Sequence, residues 1–262
     1  MPMTRIVFAV TVALGLTPAY GFGQSQTPPR PAEPAVVSAN RAVLSALPFD
    51  NRQDFEDVTR GFIATTPDLA GADRYAFLNG DASATVNPSL WRQSRLNMHH
   101  GLFEVVPGVY QVRGLDIANM TLIEGDSGVI VVDTLTSIEG ARAAMELYFK
   151  HRGLRPVAAV IFTHTHTDHW GGARGVLEED ALASGRVPII APNLFMEHAV
   201  SENIIAGPAM LRRAQYQFGP FLAKGPRGQV DCGLGKSMAV GSVALLRPTD
   251  LIAIATAPEV VG

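Results

Sequence analysis

The sequence predicts a mixed α/β fold, and three observations carry that prediction. Two pairs of short apolar runs flank tight turns, a helix-period segment follows them, and the next run is apolar on both faces, as a buried central strand is. With 262 residues, 47% of them hydrophobic, the chain can fill one core or at most two. Its 25 Gly and 18 Pro are too many for a helical bundle or coiled coil, and they follow no collagen or low-complexity repeat.

Taken in order, Arg5 precedes an apolar run from Ile6 to Leu16 that exits through Thr17-Pro18-Ala19-Tyr20-Gly21. The run is too short to span a bilayer, and small residues stand where a signal peptidase reads. Residues 1–21 are therefore expected to be a secretory signal peptide cut after Gly21 or, second, Gly23, and the mature protein to be periplasmic or secreted. Residues 22–37 read as a solvated Pro-rich linker. Residues 38–100 read as an N-terminal extension without strand alternation. Its short helices are expected at Arg41 to Leu47, at Asp54 to Thr59 behind Asp50 or Asn51 as N-cap, and after Pro88-Ser89.

The main domain is expected over 101–262. Leu102 to Val106 and Val109 to Arg113 form a hairpin about Pro107-Gly108, and Met120 to Glu124 pairs with Val129 to Val132, which ends on Asp133. Thr136 and Glu139 have capping-box spacing. Ala141, Ala144, Met145 and Tyr148 trace one helical face, and Lys150, His151 and Arg152 suit a helix C-terminus before Gly153. Val157 to Phe162 is the buried strand.

The formal charge is −3, and scattered Lys and Arg leave no electrostatic footprint for nucleic acid or an anionic membrane surface. No membrane span is expected in the mature protein. A lone cysteine, Cys232, excludes an internal disulfide framework and a cysteine-based structural zinc site.

The buried strand runs into Thr163-His164-Thr165-His166-Thr167-Asp168-His169-Trp170-Gly171-Gly172. In extended chain, residues two apart project the same way, so His164 and His166 can grip one ion while Asp168 and His169 face a second. Gly171 and Gly172 allow close backbone approach. Neutral imidazole with carboxylate suits Zn²⁺, with Fe²⁺ or Mn²⁺ open on ligand type alone. The expected metal ligands are His164, His166, Asp168 and His169, and two Zn²⁺ ions are expected. Asp133 reads as a strand-end cap.

The strand, loop and HxHxDH order resemble the metallo-β-lactamase superfamily, which implies an αββα sandwich and equally implies that Asp133 supports this loop. Longer strings resemble the linear alkylsulfatase family within it: Asn51-Arg52, Arg60 to Ala64, Thr85 to Gln93, Gly101 to Phe103, Tyr110 to Gly114, Asn119 to Thr121, Met196 to Asn203, Lys224 to Pro226, and Gly228 to Asp231. That resemblance implies zinc-dependent hydrolysis of linear alkyl sulfate esters, such as dodecyl sulfate, to alcohol and inorganic sulfate. It also implies detergent degradation, and a homodimer for the full-length family through a region absent here. The remaining ligands of the family pattern, two glutamates and a histidine, fall beyond residue 262, so the chain is expected to be truncated after the first half of its sandwich and weakly active or inactive. The alternatives are a lactam or lactone hydrolase completed by His198 and Cys232, or a non-catalytic fragment. Ile204, Ile205, Met210, Phe218 and Phe221 are candidate walls for an alkyl tail or ordinary core, and Arg212 and Arg213 read as a solvated helix face before a sulfate site. Pro208 departs from the family, which places asparagine there.

Overall fold

The computed structural model describes residues 30–66 and 72–253; the expected signal peptide and residues 22–29 of the expected linker lie outside them. In chain order the elements are α1 (Pro34–Ala46), α2 (Gln53–Asp57), β1 (Phe62–Ala64), a 3-10 stretch (Ala72–Asn79), α3 (Pro88–Leu96), β2 (Gly101–Val106), β3 (Val109–Arg113), β4 (Met120–Glu124) and β5 (Val129–Val132). Then come α4 (Ile138–Arg152), β6 (Val157–Ile161), α5 (Thr167–Trp170), α6 (Glu179–Ser184), β7 (Ile189–Pro192), α7 (Phe195–Val200), a π turn (Ser201–Ile205), α8 (Gly207–Phe218) and β8 (Asp250–Ile252).

The eight strands form one sheet in sequence order. From β1 to β5 neighbours run antiparallel, β1 reaching β2 through the 3-10 stretch and α3 and the others following one another through short connections, and from β5 to β8 they run parallel, with helices in each crossover. Both expected hairpins form, β2 beginning at Gly101, one residue before the expected start, and the other three strands keeping the expected bounds. The alternation of buried and half-buried residues along β3 and β5 matches sheets with one fully buried face, whereas β7 is buried throughout its first three residues.

Helix α4 buries Gly140, Ala141, Ala144, Met145, Leu147 and Tyr148, extending the face expected from the spacing. Its start differs from the expectation by one residue. Ser137, not Thr136, is the N-cap and accepts a hydrogen bond from the Gly140 N–H at 3.1 Å. Glu139 instead reaches forward to Ser242, accepting from its N–H at 2.8 Å and its hydroxyl at 2.9 Å. At the other end Glu124 ties β4 to the helix: it accepts from the Tyr148 hydroxyl at 2.9 Å and takes both Arg152 nitrogens at 2.9 and 3.0 Å.

The region before residue 101 is more integrated than the sequence suggested. Helix α1 begins at Pro34, inside the expected linker, because a proline at the first helical position loses no intrahelical bond. Strand β1, expected as strandless extension, pairs antiparallel with β2 at the sheet edge. Tyr75, Leu78, Val86 and Trp91 form a second small core with Val230. Lys236 closes it from the far end of the chain: its buried ammonium bonds the Ser94 carbonyl at 2.5 Å and Asp231 at 2.9 Å. Val230 and Lys236 thus join the region before residue 101 to the chain that follows it. Among the described residues all eight strands belong to this one sheet.

Candidate metal centre

Strands β5 and β6 are parallel neighbours, with Val132 opposite Ile161, so their carboxyl ends open on the same sheet edge. Asp133 follows the first strand, and the His-rich loop follows the second. Crevices at such carboxyl ends are the usual ligand sites of parallel sheets. The ladder continues one step beyond the strands, since the Asp133 N–H donates to the Ile161 carbonyl and the Thr134 N–H to that of His169, both at 2.9 Å.

Asp133 proves to be a support for the loop. Its carboxylate accepts from the Thr163 N–H at 2.9 Å, from the Thr163 hydroxyl at 2.8 Å and from His169 Nδ1 at 2.7 Å. Its φ of 60° is a left-handed conformation that Asp tolerates better than most residues. Gly171 and Gly172 behave as expected: a Cβ on Gly171 would lie 2.2 Å from the Thr136 carbonyl oxygen, and one on Gly172 2.2 Å from that of Thr134. The loop therefore seats directly on the segment leading into α4.

His164, His166 and His169 come together, with the His164 ring centroid 4.7 Å from that of His166 and 4.0 Å from that of His169. Each imidazole has a nitrogen facing an oxygen outside the ring cluster, and His169 has both. His164 Nδ1 meets the Thr163 hydroxyl at 3.0 Å, His166 Nε2 stands 3.0 Å from Glu202, and His169 Nδ1 meets Asp133. Asp168 lies 3.2 Å from His169 Nε2. Burial, with the neighbouring His169 and His166, holds His164 below the ordinary imidazole range and so favours its neutral form. Burial also works against charge on His169, but Asp133 and Asp168 outweigh it and push its pKa up to about 9. The Asp168 carboxyl is drawn upward by burial and held below its usual range by His169.

This donor set fits a zinc-class ion in type, because imidazole and carboxylate are zinc ligands and metal-bound imidazoles characteristically give their second nitrogen to an oxygen partner. The donor atoms themselves do not converge: among the described residues no group of three or more His, Cys, Asp or Glu is placed to hold an ion.

Two further residues brace the loop from the π turn. Glu202 accepts from the Thr165 hydroxyl at 2.9 Å; Asn203 accepts from the Thr167 hydroxyl at 2.8 Å and donates to the Thr165 carbonyl at 2.8 Å. Sequence reasoning missed both, although an adjacent Glu-Asn pair between Val200 and Ile204 was a visible signal. It singled out His198 instead, which is exposed on α7. Cys232 has Gln229 and Lys236 as neighbours, and burial followed by the charge of Asp231 pushes its thiol up to about 11. Neither completes a site with the four motif residues.

A metallo-beta-lactamase superfamily description matches residues 113–237. An alkyl/aryl-sulfatase of Saccharomyces cerevisiae is 48% identical over 88% of this chain and 37% of its own length. An (R)-specific secondary-alkylsulfatase of a Pseudomonas species is 50% identical over 85% and 35%. Residues 113–237 of this chain thus carry a match to that superfamily. A linear primary-alkylsulfatase from Pseudomonas is 47% identical over 85% of this chain and 35% of that relative. Among solved structures, the stereoselective inverting sec-alkylsulfatase Pisa1 of a Pseudomonas species superposes with a TM-score of 0.78 at 50% identity, over 86% of this chain and 37% of that one. The chain thus spans just over a third of the length of these relatives. The superfamily is generally metal-dependent, usually on zinc.

Proposed function

We propose that this chain carries the metal-binding loop of a zinc-dependent sulfuric ester hydrolase acting on alkyl sulfates, linear ones included. The observation that carries the reading is identity near 50% over more than four-fifths of the chain to proteins named as alkylsulfatases. The net reaction is ROSO₃⁻ + H₂O → ROH + HSO₄⁻. His164 and His166 would hold one ion, Asp168 and His169 a second. A bound ion of this class supplies Lewis-acid compensation for the anionic ester and activation of water. The chain's own residues orient the donors: Asp133 fixes His169, and Thr163 and Glu202 face His164 and His166.

A cavity of about 900 Å³ supports an amphiphilic substrate. Leu211, Phe218, Phe221 and Met238 line it together with Arg74 and Lys224, and Ser137 and Gly140 place its wall at the turn on which Gly172 packs. None of the four motif residues lines it. Phe218 and Phe221 are the wall candidates that fall here. Ile204 and Ile205 are 63% and 75% exposed and are neither wall nor core. Arg212 and Arg213 are exposed on α8, and Pro208 sits in its first turn, where a missing N–H costs nothing.

The lactam or lactone reading is the less favoured, because His198 and Cys232 do not join the loop. Sulfate release from dodecyl sulfate, set beside lactam turnover by the same preparation, tests the choice; lactam turnover without sulfate release refutes the assignment. His166→Ala is expected to lower bound zinc as well as activity, and unchanged zinc stoichiometry would place the metal elsewhere. Export belongs to the same proposal, and an N-terminus at Phe22 or Gln24 on protein recovered outside the cytosol checks it. Among the described residues no helix is long and apolar enough to cross a membrane.

A further inference from the structure

The π turn Ser201–Ile205 spends its polar side chains on one neighbour. Helices with π geometry are rare, and single π turns concentrate at functional sites. Here the wide turn sets Glu202 and Asn203 side by side against the loop that starts 37 residues earlier at Thr165. Asn203 uses all of its amide: its nitrogen donates to the Thr165 carbonyl at 2.8 Å and to that of Ala199 at 2.9 Å, while its oxygen takes the Thr167 hydroxyl. Trp170 Nε1 donates to the same Thr165 carbonyl at 2.8 Å, so that peptide is held from two directions. Glu202 divides its carboxylate. Oε2 takes the Thr165 hydroxyl and Oε1 stands 3.0 Å from His166 Nε2.

An imidazole that gives one N–H to a carboxylate keeps the lone pair of the other nitrogen for a metal. We propose that the π turn is a clamp on the metal loop, in which Asn203 fixes the backbone at Thr165 and Thr167 and Glu202 takes the Nε2–H of His166, leaving Nδ1 to the ion. Both are positioning residues. The inference rests on the proposed metal centre for its consequence but not for its geometry, and the two can fail separately.

The test uses the whole 262-residue chain. Nitrogen-15 spectra of the metal-free protein read the His166 tautomer. Hydrogen exchange reads the amides of residues 165–169, and competition with a chromophoric chelator reads zinc affinity. The wild type is expected to carry the proton on Nε2. Glu202→Gln keeps an oxygen acceptor and is expected to keep the tautomer and, within about threefold, the affinity. Glu202→Ala loses the tautomer preference and about tenfold or more in zinc affinity. Asn203→Ala speeds exchange in the loop by about tenfold or more while β3 exchanges as before. A wild-type proton on Nδ1, or alanine variants with unchanged loop exchange and zinc affinity within about twofold, would overturn the clamp. A wild type that takes up no zinc while tautomer and exchange behave as described would refute the metal centre and still support the clamp.

Discussion

Replacing Asp133 by alanine removes a carboxylate that is 11% exposed and holds three donors from the loop: the Thr163 N–H, the Thr163 hydroxyl and His169 Nδ1. Hydrogen bonds to a charged group contribute about 1.5–3 kcal/mol each, but the three share one acceptor and are not additive. Breaking a largely buried charged pair from one side costs about 3–5 kcal/mol, and that range bounds the whole loss. The backbone adds to it, because a φ of 60° costs a residue such as alanine about 1 kcal/mol. Asp133→Asn separates the terms: asparagine tolerates that φ and keeps an acceptor for Thr163, so only the charge and part of the His169 bond are lost, about 1.5–2.5 kcal/mol. Urea unfolding of the two variants gives the stabilities. An alanine variant within about 0.5 kcal/mol of wild type, or an asparagine variant as damaged as the alanine one, would refute the account of Asp133 as the loop's anchor.

Three other outcomes follow from named contacts. Gly172→Ala is expected to cost about 3 kcal/mol or more, since its Cβ would lie 2.2 Å from the Thr134 oxygen and 2.6 Å from that of Ser137, whereas Gly207→Ala, with nothing within 4 Å, is expected to be neutral or stabilising; thermal melts compare them. Arg152 holds the Glu124 carboxyl below its usual range, so the stability it contributes is complete above the ordinary glutamate pKa and is lost as pH falls through the lower folded value. Glu124→Gln should therefore cost about 1–2 kcal/mol near neutral pH and progressively less in acid, read from urea midpoints across pH. Finally, a Cys232 thiol raised to about 11 is almost wholly protonated, and alkylation at about pH 8 should run roughly 100-fold slower than for an unperturbed thiol until the chain is unfolded.

The sheet was legible where local chemistry and tertiary burial agree. Strands β2 to β5 are bounded by Pro107-Gly108 and Gly125 to Gly128, and their alternation matches one buried face. The edge strands β1 and β8 escaped notice because each has three residues, too few for a period, and is a strand only by virtue of its partner. Helix α1 was obscured by composition: the prolines before it read as linker, although Pro34 is compatible with a first turn. At the site, the loop was visible because its ligand types are contiguous. Its braces were not, because Glu202 and Asn203 meet it across a separation of more than 35 residues, which no window along the chain can join.

The same topology explains why the loop can be held at both flanks. Strands β5, β6 and β7 lie side by side and parallel, so the segments leaving their carboxyl ends emerge in the order Asp133, the His-rich loop, then the path through α7 to Glu202 and Asn203. The loop leaves the middle strand and is flanked by one brace from each neighbour. A register slip of one residue between β5 and β6 would reverse every side chain on the strand and carry Asp133 away from Thr163 and His169 together. The apolar interior of the sheet, through Val131, Val160 and Ile189, fixes that register. Burial far from the histidines therefore determines whether three imidazoles find oxygen partners.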